Sequence, residues 1–427
     1  MNIWENIKLP EFNRLDGDIK TDVLIIGGGI TGLLCAHFLK EAGVDYTLVE
    51  ADNIASGTTK NTTAKITLGH ALIYDKLIKS VGKEKAQMYL NANLDAIQEY
   101  KKLCKKSDLE QKNAYTYSTT DRRKLENEVA ALNSLGFNAK YTDTNLPFKT
   151  EGAVFYPKQA QFHPLKFVSE IAKDLNIYEH TFIRDITPHT AVSDTGRISA
   201  KKIIVATHFP FINKHGSYFL KLYQHRSYEI AYKNAAKIDG MYVDEDKKGM
   251  SFRSYGDYLL VGGGGHRTGK QGGAWKEIEA FAKKYYPEAE PKYMWAAQDC
   301  MSLDSIPYIG RYSRGTPDLY VASGFNKWGM TSSMISAKIL TDMILGKENE
   351  YASVFSPSRT ILKPQLFANG IETTINLLTP TPKRCPHLGC ALKWNKAEHT
   401  WDCPCHGSRF EKDGKLIDNP ATGDANV

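Results

Sequence analysis

The sequence predicts a mixed α/β and α+β fold. We expect an α/β domain built on a parallel sheet, an antiparallel-sheet domain inserted into it, and a small all-β module at the C-terminus. A strand, a glycine-rich turn, a helix and a second strand follow one another over residues 21–50. Buried strands recur far downstream, at residues 203–206 and 318–323, with alternating segments between them. Four of the seven cysteines lie within residues 385–405, which marks a separate unit.

The composition is that of a globular chain long enough for two or three domains. Its 427 residues are 42% hydrophobic. The formal net charge of +7 is scattered among 48 acidic residues without a block of like charges, which argues against nucleic-acid binding. Glycines interrupt the apolar run at residues 23–39, so this run predicts neither a membrane span nor a signal peptide. We therefore expect a cytoplasmic protein.

The first elements form a βαβ unit. Residues 21–27 are an apolar strand, residues 30–42 have the apolar spacing of a helix that ends at Gly43, and residues 46–50 form the second strand. Residues 60–140 then predict mainly helices. The unit itself is typical of a nucleotide-binding domain.

The second half of the chain alternates between strands and helices. Residues 228–242 and 250–265 have the alternation of antiparallel strands. A buried strand at residues 318–323 leads through a glycine-containing turn into a helix over residues 331–345. The predicted boundaries are residues 1–80, 150–210 and 295–352 for the α/β domain, 81–149 and 211–294 for the inserted domain, 353–382 for a linker without steady period, and 383–427 for the C-terminal module.

Residues 27–32 have the spacing G-x-G-x-x-G of a dinucleotide site. Gly27 permits the tight turn, Gly29 lets the backbone approach a pyrophosphate, and Gly32 lets the helix pack on the strand. The helix N-terminus favours the phosphate charge. Glu50, at the end of the second strand, offers a carboxylate to ribose hydroxyls. The predicted contacts in this part are Gly27, Gly29, Ile30, Thr31, Gly32 and Glu50.

Further stretches match one known family of flavoproteins. They are Ala55–Lys65, Ile203–His208, Tyr258–Gly263, Asp304–Gly310 and Ala322–Ser332. With the glycine turn, they make residues 20–360 resemble the glycine/D-amino-acid oxidase (sarcosine oxidase-like) family. The resemblance implies FAD rather than NAD, and hydride removal from a carbon next to nitrogen on an amine or amino acid. It adds the FAD contacts Thr58, Thr59, Thr63, Ala64, Ala206, Thr207, Gly324, Trp328, Gly329, Met330 and Thr331.

Candidate substrate groups are polar residues of the same region. Arg253 is suited to bind a carboxylate through two hydrogen bonds, and Lys327 precedes the segment expected beside the flavin ring. The alternative for each is a solvated charge or a hydrogen-bonded core histidine. The predicted catalytic residues are Lys65, Arg253, His266 and Lys327, with Tyr228 as a further substrate contact. Cys300 resembles the position of covalent flavin attachment in some sarcosine oxidases, but its flanking sequence departs from theirs, and we expect an unattached core cysteine.

The C-terminal cysteines and histidines form two boxes, Cys385-Pro-His387 and Cys403-Pro-Cys405-His406. These resemble the two boxes of a Rieske protein, whose [2Fe–2S] cluster takes two thiolates on one iron and two imidazoles on the other. The resemblance implies Cys385, His387, Cys403 and His406 as ligands and a disulfide between Cys390 and Cys405. A Cys₂His₂ zinc ribbon is the alternative, which the additional cysteines oppose.

The module departs from the Rieske pattern in two respects. Ser408 matches the hydroxyl donor to a cluster sulfur, but Phe410 stands where high-potential members have tyrosine, which predicts a middling potential. The sequence before the first box is also short. We therefore expect the module to lean on the flavin domain, with Trp394, Trp401 and Phe410 in the contact.

The favoured function is an FAD-dependent dehydrogenase that oxidises an amine or amino acid and passes electrons through the cluster to an external one-electron acceptor. The reverse direction, from the cluster to a bound substrate, is a second reading. A redox sensor or electron carrier that takes no metabolite is a third. A Rieske-type oxygenase is disfavoured, because no pair of histidines with a carboxylate lies outside the cluster boxes at the spacing of a mononuclear iron site.

Overall fold

A computed structural model describes residues 2–104, 108–246 and 249–427. The strands are β1 (Ile19–Ile26), β2 (Tyr46–Val49), β3 (Lys65–Ile66), β4 (Glu110–Tyr117), β5 (Lys140–Thr142), β6 (Ala153–Gln161), β7 (Ile177–Tyr178), β8 (Ile183–Thr187), β9 (Thr190–Ser193), β10 (Arg197–Val205), β11 (Leu222–Lys233), β12 (Met241–Asp244), β13 (Ser251–Tyr255), β14 (Tyr258–Arg267), β15 (Glu290–Ser302), β16 (Tyr308–Arg311), β17 (Leu319–Ser323), β18 (Lys393–Asn395), β19 (Thr400–Asp402), β20 (Arg409–Phe410) and β21 (Leu416–Asp418). The helices are α1 (Ile30–Glu41), α2 (Tyr74–Val81), α3 (Lys83–Leu103), α4 (Arg122–Ser134), α5 (Pro164–Ile171), α6 (Tyr218–Lys221), α7 (Ala274–Tyr285), α8 (Gly329–Ile344), α9 (Ala352–Phe355) and α10 (Pro364–Leu378).

The first sheet is parallel at its centre. Its order is β16-β17-β10-β1-β2-β7, and β10 pairs with β1 in parallel register, for example Ile203 beside Leu24. Strand β17 continues the sheet on the other side of β10. The prediction that distant apolar strands belong to the same sheet as the N-terminal βαβ unit is thereby confirmed. The carboxyl ends of β1, β10 and β17 meet at one edge, where α/β sheets bind their ligands.

The second sheet is mainly antiparallel and has the order β15-β11-β14-β13-β12-β4-β6-β3, with β5 paired to β6. Successive side chains of a strand point to opposite faces. On β11, Ser227 and Glu229 therefore lie on one face, and Arg226 and Tyr228 lie on the other. The two faces have different neighbours, and this division positions the functional groups described below.

Two stretches differ from their predicted structure. Residues 60–140 contain strand β4 as well as helices, because the polar first half of β4 hides its alternation. The expected irregular linker contains helix α10, which buries Asn369 and Asn376 and leaves apolar residues exposed. Amphipathic helices usually bury their apolar side, whereas α10 buries polar residues and exposes apolar ones. The sequence pattern therefore did not predict a helix here. None of the described helices combines the length and apolar character that a membrane crossing requires.

The third sheet, β18-β19-β20-β21, forms the C-terminal module. Phe410 is fully buried within the module's own core, and Trp401 packs against that core. Trp394 packs on Trp401 with ring centroids 5.0 Å apart. The expectation that these aromatic residues form part of the contact with the larger domain is wrong for Phe410 and Trp401, because a module this small needs them for its own core. Trp394 does contact the larger domain, through its carbonyl, which accepts from Gln271 at 3.0 Å.

Polar groups make the contact between the module and the rest of the chain. Glu398 of the module pairs with Arg226 of β11 and with Arg409 of β20. Burial opposes ionisation of Glu398, but the two guanidinium groups outweigh it and hold the pKa of the carboxyl below its usual value. The Gln298 amide donates to the Gly407 carbonyl at 2.8 Å. The module is thus held by a buried ion pair and directional hydrogen bonds.

Replacement of Glu398 by glutamine is expected to loosen the module, because Arg226 and Arg409 then lack a full countercharge in a buried place. The free energy of opening of residues 383–427 should fall by about 3 kcal/mol. Hydrogen–deuterium exchange of that segment measures this. The control is Glu411→Gln, an exposed carboxylate on the same module, which should leave exchange unchanged. Equal protection in both variants would contradict the assigned role of the buried pair.

Candidate functional site

The glycine turn between β1 and α1 is packed so closely that side chains are excluded. Gly27 has a φ of +109°, and a Cβ there would lie 2.6 Å from the Ala206 carbonyl oxygen. A Cβ on Gly32 would collide with the carbonyl of Gly27. The turn therefore brings bare backbone to the carboxyl edge of the parallel sheet, as a pyrophosphate site requires.

Glu50 lies at the end of β2 and faces this turn. Its carboxylate accepts hydrogen bonds from the backbone N–H of Gly28 at 2.6 Å and of Asp52 at 3.0 Å. Burial raises the pKa of Glu50, whereas these backbone donors oppose the rise. Thr59 accepts from the N–H of Ile30 at 3.0 Å, which joins the following loop to the start of α1.

The N-terminus of α8 converges on that of α1. The hydroxyl groups of Thr31 and Ser333 lie 2.8 Å apart. Trp328 stacks on His70 with ring centroids 4.8 Å apart, and the His70 Nε2 lies 3.1 Å from the Thr331 hydroxyl. Burial lowers the pKa of His70 to about 3, so its imidazole is neutral. Two helix N-termini thus aim at one space, which favours a ligand with negative charge.

The other predicted FAD contacts surround the same edge. Thr58 donates to the carbonyl of Gln298 at 3.4 Å, and Thr207 follows β10 and donates to the carbonyl of Phe209. The carbonyl of Met330 accepts from Tyr100 at 3.0 Å. Thr63 and Ala64 end the loop that follows β2, Ala206 directly follows β10, Gly324 follows β17, and Gly329 begins α8. The assignment of these residues to FAD stays a prediction.

Arg253 is fully buried on the face of the second sheet that meets this loop. Its Nη1 donates to the carbonyls of Thr63 at 2.5 Å and Ala64 at 3.0 Å. Its Nε and Nη2 have no hydrogen-bond partner among the described residues. Unpaired guanidinium N–H groups in a buried place are costly, so they indicate a place for an anion.

Lys65 and Glu229 lie on the same face and interact electrostatically. Burial lowers the pKa of the Lys65 amine, and the charge of Glu229 opposes this. Burial raises the pKa of the Glu229 carboxyl, and Lys65 and Lys327 oppose this. Glu229 was not among the sequence predictions, because a lone acid in an apolar strand gives no signal of its neighbours.

Lys327 reaches the same group of residues from the other domain. Its Nζ donates to the Ser227 hydroxyl at 2.8 Å and lies 3.7 Å from Asp299. Asn326 and Lys327 both have left-handed backbone, with φ of +52° and +74°. Such strain in consecutive non-glycine residues is typical of functional loops. The structure therefore brings Lys65, Arg253 and Lys327 to one face, as a substrate site requires.

His266 and Tyr228 lie on the opposite face and require a correction. The His266 Nε2 lies 2.9 Å from the Tyr228 hydroxyl, and that hydroxyl donates to Glu398 of the C-terminal module at 3.1 Å. Strand alternation is the physical reason for Tyr228, which precedes Glu229 by one residue. For His266 the reason is the irregular pairing between Arg226 and Tyr228, which makes His266 the partner of Arg226. The structure thus does not join the predicted catalytic residue His266 to Lys65, Arg253 and Lys327.

The two cysteine–histidine boxes meet within the C-terminal module. The thiols of Cys385 and Cys403 face each other within hydrogen-bond distance. The rings of His387 and His406 lie 5.0 Å apart. Cys390 and Cys405 form a disulfide that joins the two loops. The four predicted ligands thus form a thiol pair and an imidazole pair on the two loops that the disulfide joins, and their assignment to the cluster stays a prediction.

The Nδ1 atoms of His387 and His406 are available as ligands. Neither Nδ1 has a hydrogen-bond partner among the described residues, although both are buried. The Nε2 of His387 is 2.8 Å from the side-chain oxygen of Asn213, which indicates that its proton is on Nε2. Burial lowers the pKa of His387 to about 4 and that of His406 to about 3, so both imidazoles are neutral.

Comparison with known proteins identifies both parts of the chain. Residues 22–343 match the family model described as FAD dependent oxidoreductase, and residues 378–427 match that of the Rieske [2Fe-2S] domain. The chain belongs to the FAD-dependent oxidoreductase family. Its C-terminal module is a Rieske domain. The cofactors of this flavoprotein are accordingly FAD and a [2Fe–2S] cluster.

Relatives share either the whole flavoprotein or one of its parts. The Rieske 2Fe-2S iron-sulfur protein YhfW of Bacillus subtilis (strain 168) is 33% identical, over 97% of this chain and 94% of its own. A cytochrome b6-f complex iron-sulfur subunit of Fritillaria agrestis is 54% identical, over only 9% of this chain and 16% of its own. YhfW thus shares the two-part architecture.

Solved structures match the flavin part in fold. L-proline dehydrogenase from P. horikoshii superposes with a TM-score of 0.68 at 17% identity, over 81% of this chain and 98% of its own. Glycine oxidase from Geobacillus kaustophilus gives 0.67 at 17% identity, over 80% and 99%. Because these proteins are matched almost completely, the remaining fifth of this flavoprotein is additional to their fold.

The residues present fit both cofactors. The bare backbone turn and two helix N-termini suit the pyrophosphate of FAD. Two buried thiols and two neutral imidazoles with free Nδ1 atoms suit a [2Fe–2S] cluster. Ser408 lies beside the Cys385 sulfur, and its oxygen accepts from the Ala421 N–H at 3.0 Å. FAD supplies hydride acceptance, and the cluster supplies one-electron transfer.

Purified protein is expected to contain about two irons and two acid-labile sulfides per chain, because the four free donors match that cluster. Cys385→Ser should lose the iron and the low-temperature EPR signal of dithionite-reduced protein. Cys104→Ser, a substitution outside the module, is the matched control and should keep both. Zinc in place of iron, or full iron content in Cys385→Ser, would show that the cluster assignment is wrong.

Proposed function

We propose that the protein is a dehydrogenase that oxidises an amino acid at its C–N bond and delivers the electrons singly, through the Rieske cluster, to an external acceptor. The observation that carries this proposal is the division of the second sheet. One face holds the unpaired N–H groups of Arg253 together with Lys65 and Glu229, and the other face meets the Rieske module. A substrate group and an electron outlet thus lie on opposite sides of one sheet.

The charges on the substrate face suit an amino acid. Arg253 has two N–H groups left to bind a carboxylate, which is the geometry of a bidentate pair. Glu229 has a raised pKa and an oxygen without a hydrogen-bond partner among the described residues. It is suited to accept a proton from the substrate ammonium group. The names of the matched dehydrogenase and oxidase, which specify proline and glycine, support the same substrate class.

Gln298 provides a short connection through the sheet. Its backbone carbonyl accepts from Thr58, in the loop predicted to contact FAD, at 3.4 Å. Its side chain donates to the carbonyl of Gly407, next to the predicted ligand His406, at 2.8 Å. One residue thus joins the surroundings of both cofactors. This favours internal electron transfer over two independent redox sites.

The direct test is an anaerobic titration of the purified protein with a panel of amino acids and the matching decarboxylated amines. An amino acid should bleach the flavin and produce the EPR signal of the reduced cluster. Arg253→Met should weaken the effect of amino acids about 100-fold in concentration and that of simple amines much less, because the carboxylate contact is lost for amino acids alone, whereas the hydrogen bonds from Arg253 to Thr63 and Ala64 are lost for both.

The control for this variant is Arg314→Met, an exposed arginine of the flavin part, and retained FAD content shows that each variant is folded. A protein whose flavin no amine reduces, but which passes electrons from a reduced donor to the flavin, would support the reductase direction instead. Reduction of neither kind, with both cofactors bound, would support the redox sensor.

Glu229→Gln should change the pH dependence of amino-acid oxidation. Burial raises the pKa of Glu229, so the carboxylate that accepts the proton is absent at acidic pH and forms as the pH rises through that raised value. The wild-type kcat/KM should therefore rise along this limb. The variant should lose the limb and at least about tenfold in kcat/KM. Glu290→Gln, an exposed acid on β15, is the control, and an unchanged acid limb in Glu229→Gln would exclude this role.

A further inference from the structure

Helix α10 has its apolar side turned outward. Phe367, Ile371, Ile375 and Leu378 are 67%, 63%, 56% and 76% exposed, and they recur at helical spacing along one side. Leu362, just before the helix, is 76% exposed. Large contiguous apolar patches are rare on isolated soluble proteins and mark interaction sites.

The orientation of α10 is fixed by polar contacts on its inner side. Asn369 accepts from Arg267 at 2.8 Å, and Glu372 pairs with Lys270 at 2.7 Å. The carbonyl of Asn376 accepts from the N–H of Ala391 at 2.9 Å. The helix therefore cannot rotate its apolar side inward without breaking a set of partly buried bonds. Neither family match includes residues 344–377, so the helix belongs to the junction between them.

The outer side of α10 has few groups for directional contacts. Residues 361–382 are all described, and their two charged side chains, Lys363 and Glu372, are half-buried. The hydroxyl of Thr374 donates to the carbonyl of Gly370, and that of Thr379 to the carbonyl of Ile375. Protein interfaces normally form about one hydrogen bond per 100–200 Å². A surface with few free hydrogen-bond donors and acceptors suits the hydrocarbon of a lipid layer better than a protein partner.

Lysines lie at both ends of α10. Within residues 361–402, Lys363 directly before the helix and Lys383 five residues after it have no carboxylate partner among the described residues, and neither do Lys393 and Lys396 of the module. The three acidic residues of that range are all neutralised by ion pairs: Glu372 with Lys270, Glu398 with Arg226 and Arg409, and Asp402 with Arg409. The surplus charge is therefore positive, which is complementary to anionic lipid headgroups.

We propose that α10 lies in the interfacial layer of an anionic lipid bilayer and docks the protein on a membrane surface. Apolar residues on one side with lysines around them are the features of helices that bind in this way. A second copy is a poorer occupant, because antiparallel pairing of two α10 helices would bring Lys363 of one copy towards Lys383 of the other.

The docking would place the Rieske cluster beside the membrane. The first cluster box begins seven residues after α10, and Arg384 donates to the carbonyls of Leu377, at the end of the helix, and Gly389, two residues after the box. Leu388, directly after the box, is 40% exposed. That the cluster would pass electrons to an acceptor at the membrane rests on the proposed function, whereas the docking itself does not.

Flotation of the full-length protein, with both cofactors, on lipid vesicles tests the proposal. Wild-type protein should bind vesicles that contain phosphatidylglycerol and bind vesicles of phosphatidylcholine alone less tightly. The double variant Ile371→Glu/Ile375→Glu should bind at least about tenfold more weakly. The matched control is Ile417→Glu, which alters an exposed isoleucine on the Rieske module and should bind like wild type. Lys363→Gln/Lys383→Gln, which removes the lysines at the two ends of α10, should weaken binding only to the anionic vesicles, by about fivefold per lysine.

Wild-type protein that stays in solution with both kinds of vesicle would overturn the proposal, and so would a double variant that floats like wild type. Light scattering measures the oligomeric state and so tests the competing occupant. If wild-type protein is a dimer that does not bind vesicles, and the double variant is a monomer, the face binds a second copy instead. Amino-acid reduction of the flavin is measured in solution without lipid, so failure of the proposed function and failure of the docking are seen separately.

Discussion

The second, mainly antiparallel sheet buries charged side chains on both of its faces. The rest of the architecture depends on how the charges of each face are neutralised. On the inner face, Lys65 and Glu229 interact, and Arg253 donates to the carbonyls of Thr63 and Ala64 in the loop predicted to contact FAD. On the outer face, Arg226 is nearly inaccessible, and its one ion pair with a described residue is with Glu398 of the Rieske module. Desolvated charges without partners cost several kcal/mol. The sheet is therefore stable as built only when both the loop and the module are in place.

The Rieske module has the converse dependence. It is too short to enclose a large core, and its cysteines, Phe410 and a few small residues fill the centre it has. The Cys390–Cys405 disulfide joins the two cluster loops, and Asn213 of the flavin part holds the outer nitrogen of His387. Outer partners of this kind fix the orientation of metal-binding imidazoles. The flavin part thus acts as a structural portion of the cluster site.

The sequence was informative wherever spacing carries the chemistry. The glycine turn, the downstream parallel strands and the cysteine–histidine boxes follow rules that depend on local order along the chain, and the fold and cofactors they predicted are confirmed. The placement of side chains across a sheet is not local. Tyr228 and Glu229 are neighbours in sequence, yet they face different domains, and a bulge between Arg226 and Tyr228 obscures the register. His266 was misplaced for this reason, and Glu229 and His70 were missed. Helix α10 was hidden because its polarity is inverted.

The buried pair between Arg226 and Glu398 also bears on how the protein moves. Relative motion is the default for two domains of one chain unless their interface restrains it. Here the ion pair, the Gln298–Gly407 hydrogen bond and the contact between Asn213 and His387 fasten the module at three separate places. A module fastened in this way keeps a fixed position relative to the flavin part. Under the proposed function, an external acceptor would therefore have to reach the module where it stands, at its outer surface.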